Sequence, residues 1–483
     1  MKKIFVLLVA VGLCQTQLIE ANEVPWNYAN KIVSSMSKVE FPDRQVSITE
    51  FGAIANRPDC LAHEAINLAI LHINQQGGGT VIIPDSTYYT GPITMKSNVR
   101  LHMTEGAQLK FSTDINLYFP AVPTRWEGID CNNTHPLIYA YGETNIAITG
   151  HGTLDAQGSK DAWWNRMDIE RRNRYQIPGD ATSPQVLPSR IQLLHWGEQQ
   201  TPLHERTYRP ENALRPQFVN LYHCTTVLIE DVTLLNSPFW VIHPLFCKDL
   251  IVRGVTIIND GPNGDGCDPE SCENVLIENC VFDTGDDCIA IKSGRNMDGR
   301  KWNVPSQNIV VRNCHMRNGH GGVVIGSEIS GGFRNLFVED CTMDSPLLDR
   351  VIRIKTSTCR GGLIENIYVR NVNVGQCREA VLRINLNYEP KEDCQRGFIP
   401  TVRNVYMENV TCQKSKYALY LSGLDDATNI NNINLTNCNF DGVTTGKSYV
   451  EGQISEITFN NLYVNGKNIK KLTAKNTMSN KKK

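Results

Sequence analysis

The chain has 483 residues, 41% of them hydrophobic and 20% charged, with 48 Lys and Arg against 50 Asp and Glu. That composition excludes a disordered chain, a small disulfide scaffold and a coiled coil, and it leaves room for one large core or two to three ordinary domains. A net charge of −2 excludes a nucleic-acid binder that works by bulk phosphate attraction, so any anionic ligand must be held by locally placed cations.

In chain order, Lys2-Lys3 precedes an apolar run from Ile4 to Leu13, and Ala21 is a small residue suited to a cleavage point. Residues 1–21 therefore read as the signal peptide of a protein exported to the periplasm or the medium. Cys14 would suit a lipid anchor, but Leu13 is bulky where that signal wants a small residue. No stretch approaches 18 apolar residues, so no membrane span is expected. Ala62, Ala65, Ile66, Ala69, Ile70 and Ile73 have helical spacing, and Gly77-Gly78-Gly79 ends that helix. It is expected to lie in an N-terminal cap of about residues 46–84. Thr80–Ile83 and Val99–Phe111 begin a stack of strands, and residues 158–216 interrupt it as an irregular insertion rich in Arg, Pro and Trp.

From Val227 onward one phrase returns: apolar, any, apolar, polar, then Asn, Asp or Gly, then Cys or Val. Its copies start at Val227, Leu250, Val275, Ile309, Leu336, Ile367, Val405, Ile433 and Ile457, and an earlier one starts at Ile146. Each copy alternates at period two and is rich in β-branched residues, which makes it a strand with one buried face. The starts lie 23 to 38 residues apart with no room for crossover helices between most of them, which excludes βαβ units; most are also too close for propeller blades. The expected architecture is all-β, a single right-handed parallel β-helix spanning residues 22–465. Cys280, Cys314 and Cys341 recur at one position of the phrase and should stack inside as small buried side chains. With Cys14 removed fifteen cysteines remain, so at least one is unpaired; Cys267 with Cys272 is a candidate pair. Residues 466–483 are rich in lysine and read as a solvated, frayed tail.

Four clusters lie between the strands: Asn263-Gly-Asp265-Gly-Cys-Asp268; Gly285-Asp286-Asp287 with Lys292; Gly319-His320-Gly321-Gly322; and Arg353-Ile-Lys355. Asp286 and His320 each fall 11 residues after their strand starts, Val275 and Ile309, which puts them on one face of adjacent coils. A single Asp after a strand is ordinarily a turn former. Two adjacent acids are harder to explain so, and two cations at i and i+2 share a face and would repel unless an anion sits between them. Clustered carboxylates retain a proton and so offer an acid and a base together, as glycosidic cleavage requires, while Arg and Lys grip a sugar carboxylate. The residues alone point to a hydrolase of an acidic polysaccharide. No His/Cys cluster has ligand spacing, so neither metal nor cofactor is indicated.

The order and spacing of these motifs, with Tyr388 placed 33 residues after Lys355, resemble the polygalacturonases, glycoside hydrolase family 28. The resemblance implies the right-handed β-helix, hydrolysis of α-1,4-galacturonosidic bonds in polygalacturonate or pectin, and inversion at the anomeric carbon. It implies Asp286 as general acid, Asp265 and Asp287 as activators of water, and His320 as the group that tunes the acid. It also implies that Arg353, Lys355 and Tyr388 bind the uronate, beside Asn263 and Lys292. Gly264 departs from the family's threonine. Asn236-Ser-Pro-Phe-Trp240 with His243 resembles the segment lining the site in exo-acting relatives. The insertion, with Trp163-Trp164, Arg166, Arg171-Arg172 and Arg174, is expected to close one end of the cleft, its arginines meeting a terminal uronate and its tryptophans either facing a sugar ring or anchoring the loop on the coils. A lyase sharing the solenoid is the nearest rival, although Arg353 and Lys355 would oppose its calcium; a binding solenoid would have no need of adjacent acids. The expected partner is the polysaccharide alone, met by a monomer.

Overall fold

The computed structural model describes residues 24–179 and 188–479. The expected signal peptide, its cleavage point at Ala21 and Cys14 lie outside these residues. The repeated phrases are strands of one long parallel sheet, in register residue for residue. Val227 pairs with Leu250, Leu250 with Val275, Val275 with Ile309 and Ile309 with Leu336. Leu336 then pairs with Ile367, Ile367 with Val405, Val405 with Ile433 and Ile433 with Ile457. The fold is a parallel β-helix. Its corners are set by Asn and Asp: Asn279, Asn313, Asp340, Asn371 and Asn409 all have φ between 52° and 56°, a left-handed conformation these side chains tolerate. A second asparagine row opens the same strands, each amide donating to the one on the coil before it, from Asn308 to Asn274 at 3.1 Å up to Asn432 to Asn404 at 2.7 Å.

A second parallel sheet runs through Ile289–Ile291, Val323–Gly326, Arg350–Lys355, Ala380–Asn385 and Tyr417–Ser422. Four earlier strands, ending with Ile242–Leu245, continue its line, joined to it only by single bridges through Cys267 and Glu270. The Asn263–Asp268 cluster thus sits where the sheet is interrupted. Inward side chains of both sheets form one core from Ile48 to Val464. Cys280, Cys314 and Cys341 lie in it as free thiols. Cys267 and Cys272 are also free, so the candidate pair does not form: the Cys272 thiol donates to the Pro244 carbonyl, and a bridge joins Cys359 to Cys394.

His63–Gln75 is helical and buries Ala65, Ile66, Ala69, Ile70 and Ile73 at the N-terminal end of the stack. Residues 24–35 form a helix absent from the sequence reading. It lays Trp26, Ala29 and Ile32 on the outward side chains Leu276, Val310 and Phe337, so this stretch of sheet is buried on both faces. The tail is not frayed up to Met478: Lys467–Asn468 folds back on Tyr463–Val464, and Thr477–Met478 pairs with Ser448–Tyr449. Ile469 and Leu472 pack on the core, because a solenoid's last coil must be covered. No helix among the described residues is long and apolar enough to cross a membrane.

Candidate active site

The register brings the chemistry together. His320 donates its backbone N–H to the Asp286 carbonyl at 2.9 Å, and its Nδ1 lies 2.9 Å from Asp286 Oδ1. The Asp287 backbone N–H also binds Oδ1, so Oδ2 of Asp286 is left to the cavity. Asp265 comes from the preceding coil, where Gly266 N–H donates to the Asp287 carbonyl at 3.0 Å. One oxygen from each of Asp265, Asp286 and Asp287 lies within 4.8 Å of the others. The adjacent acids diverge in partner: Asp286 meets His320, whereas Asp287 is fully buried and takes Arg353 at 2.9 Å and Lys355 at 2.7 Å. The anion between the two cations is therefore the chain's own. Arg353 pairs with Val324, two coils beyond Asp287, and reaches it past Gly321, which has no side chain. A Cβ there would strike the Val324 side chain and stand 3.2 Å from Asp287 Oδ1.

These contacts divide the charges. Burial would raise Asp286, but His320, Lys355 and Arg353 outweigh it and hold its carboxyl well below the usual range. The Asp286 carboxylate in turn raises His320 to about 9 against its burial. Burial would likewise raise Asp287, and Lys355 and Arg353 keep it ionised. For Asp265 burial wins: together with the Asp286 charge it pushes the carboxyl up to about 7, against the pull of Lys292. The cluster keeps exchangeable protons on Asp265 and in the Asp286–His320 contact.

A cavity of about 570 Å³ opens over these groups. Asn263, Lys292, Arg353, Lys355, Tyr388 and Trp240 all line it. Asn263 Oδ1 accepts from Arg171 at 3.1 Å and from Arg215 at 2.9 Å, which fixes the amide with its NH2 as the free donor. Lys292 rests 4.4 Å above the Trp240 ring, buried among Asp265, Asp268 and Glu328. His243 is not at the cavity. The hairpin Val122–Trp126 with Ile129–Asn133 covers it, and its Nε2 lies 2.9 Å from Glu270, which also pairs with Arg125. Trp163 and Trp164 are anchors rather than sugar platforms: Trp163 packs edge-on to Tyr118 in the core, and Trp164 donates to the Ser237 carbonyl beneath the Asn263 loop. Gly261 leaves room for that indole, and Gly264 allows the loop to turn tightly, since a Cβ there would lie 2.5 Å from the Gly261 carbonyl.

The sequence reading missed a carboxylate that organises the far wall. Glu127, at the tip of the hairpin, holds Arg171 at 2.5 Å, Arg190 at 2.8 Å and Arg295 at 3.2 Å. Its only signal was the turn Glu127-Gly128, and turns are too common to point to a site. Arg171 stands on the short helix Ile169–Arg174 and Arg190 on Ser189–Glu198, both within the insertion. Arg166 and Arg172 point elsewhere, Arg166 to the Pro210 carbonyl and Arg172 into the packed insertion.

The family profile of the glycosyl hydrolases family 28 matches residues 197–458. The chain belongs to that family. The crystal structure of a hyperthermoactive exopolygalacturonase from Thermotoga maritima is 36% identical, covers 93% of this chain and 98% of its own, and superposes with a TM-score of 0.84. An exo-poly-α-D-galacturonosidase of Dickeya chrysanthemi is 25% identical over 460 residues, 90% of this chain and 74% of that one. An endo-polygalacturonase of Pectobacterium carotovorum is 25% identical over 350 residues, 70% of this chain and 74% of that one. The protein is a glycoside hydrolase, and its four motif clusters all fall inside the matched range.

Proposed function

We propose that the enzyme hydrolyses the α-1,4-galacturonosidic bonds of polygalacturonate from a chain end, with inversion at the anomeric carbon. The observation that carries this reading is the Asp286–His320 contact facing a cavity in which Lys and Arg outnumber carboxylates. Asp286, the most exposed of the three acids, turns Oδ2 to the leaving oxygen; ionised at rest, it draws the proton that His320 holds across the 2.9 Å contact and passes it to that oxygen as the bond breaks. Asp265 and Asp287 orient water and take its proton. The oxygen spacing of at most 4.8 Å is nearer the ~5–5.5 Å of retaining enzymes than the ~6.5–9.5 Å of inverting ones. Inversion is supported instead by burial: Asp265 and Asp287 are too enclosed to bond to an anomeric carbon, while a water between them and the sugar is not. Arg353, Lys355, Tyr388 and the Asn263 amide bind the uronate.

Chain-end action is supported by the insertion, whose Arg171, Arg174, Tyr175 and Arg190 wall off one side of the cavity. Burial pulls Arg190 down and Glu127 only partly offsets it, with Arg171 and Arg295 nearby, so a further anion is favoured there. The enzyme acts as a monomer after export on residues 1–21. On long polygalacturonate, reducing ends are expected to rise while viscosity falls slowly, with no absorbance from a conjugated double bond. A steep early loss of viscosity would make the cleavage internal, and proton NMR showing an initial α-anomer would make it retaining.

The raised pKa of Asp265 favours a second reading in which Asp265 is the acid. A galacturonide with an activated aryl leaving group separates the two, because only the variant lacking the acid is rescued by it. Rescue of Asp286→Asn supports the first reading, and rescue of Asp265→Asn the second.

A further inference from the structure

Asp268 closes the Asn263–Asp268 cluster and has no part in the mechanism above. Its side chain is wholly buried, and among the described residues neither of its oxygens accepts a well-formed hydrogen bond. The charged groups around it are few. Lys292 Nζ lies 3.5 Å from its Oδ1 and 3.6 Å from Asp265 Oδ2, and Asp287 faces it from the next coil. The neighbouring Cys267 thiol is itself buried, and Glu328 reaches it only through Lys292. A buried carboxylate accepting no hydrogen bond is too costly to keep, so the group takes a proton. Among the described residues the group placed to accept that proton is Asp265, whose carboxylate shares the Lys292 ammonium with Asp268.

We propose that Asp268 is a permanently protonated positioning residue whose O–H donates to the Asp265 carboxylate, stabilising the ionised base and aiming its other lone pairs at the attacking water. The proton stays on Asp268 throughout turnover; the one taken from water goes to Asp265 and leaves through the cavity. Lys292, midway between the two acids, holds them together without neutralising Asp268. This assignment rests on Asp265 being the base.

The test compares Asp268→Asn, whose amide keeps a donor, with Asp268→Ala, which does not, in kcat/KM against pH. Losing the donor raises the Asp265 pKa, so the acid limb of the Ala variant should move up by about one unit, while the Asn variant keeps the parent limb. An unchanged limb in the Ala variant, or equal shifts in both, would overturn the proposal. If the shift falls on the alkaline limb, the Asp268–Asp265 bond stands and Asp265 is the acid instead. Should the Ala variant not fold, infrared difference spectra of the parent and Asp268→Asn at pH 8 decide: a protonated-carboxyl band present only in the parent supports the proton on Asp268, and its absence from both overturns it.

Discussion

The coils from Asn263 to Lys355 and the insertion from Gly158 to Pro216 line the same cavity by opposite means. In the coils a side chain's place follows from its distance along a repeat: Asp286 and His320 meet because their strands are paired at Val275 and Ile309. In the insertion neighbours in sequence part company. Arg171 turns to Glu127 while Arg172 is buried, and neither Trp163 nor Trp164 faces the cavity. The regular wall holds the carboxylates against a rigid hydrogen-bonded sheet, where sub-ångström placement is possible. The irregular wall holds cations against a single glutamate, where replacement costs the scaffold little. On this comparison, changes in the coils should strike turnover, and changes in the insertion should strike recognition.

The largest effect is expected at Asp286. Asp286→Asn keeps the shape and removes the proton donor, which should lower kcat by on the order of 10²-fold or more while oligogalacturonate still binds. Near-normal turnover would place the acid elsewhere. Next is Gly321→Val, which pushes a side chain between Asp287 and Arg353. It should cost about 1–3 kcal/mol in thermal or denaturant unfolding and lower kcat, because Asp287 loses its place. A variant as stable and active as the parent would show that the contact is dispensable.

A smaller effect of a different kind is expected across the cavity. Arg190→Gln should raise KM for oligogalacturonate about tenfold with kcat changed less, as fits a lost charge-assisted bond to a carboxylate. Equal falls in kcat and kcat/KM would mean that the insertion takes part in the chemistry. The mildest perturbation is pH. Asp265, raised to about 7, must be ionised to accept a proton, so kcat/KM should fall as pH drops below that value. His320, raised to about 9, must stay protonated to resupply Asp286, so it should fall again as pH rises above that. A bell with limbs near these values supports the division of protons, and a single limb does not.

Much of the site was legible because a parallel β-helix converts sequence interval into position. Once the phrase starts Val275 and Ile309 are aligned, Asp286 and His320 each fall 11 residues on and share a wall, and Asp265, 21 residues before Asp286, falls close to one coil earlier. The resemblance, not the interval, misled at His243, which sits on a strand of that wall but is covered by a hairpin more than a hundred residues earlier in the chain. The lysine-rich end was misread for a related reason: composition described its surface, while the need to cover the last coil decided its path.

The sequence by itself determined the coil, its register, the asparagine corners and the carboxylate wall, because each depends on residues in the same or the next coil. Tertiary structure alone decided that Asp287 rather than substrate lies between Arg353 and Lys355, that Glu127 gathers three arginines, and which insertion side chains face the cavity. Those contacts join segments with no common repeat, and pairwise charge and packing across such distances leave no period in the sequence.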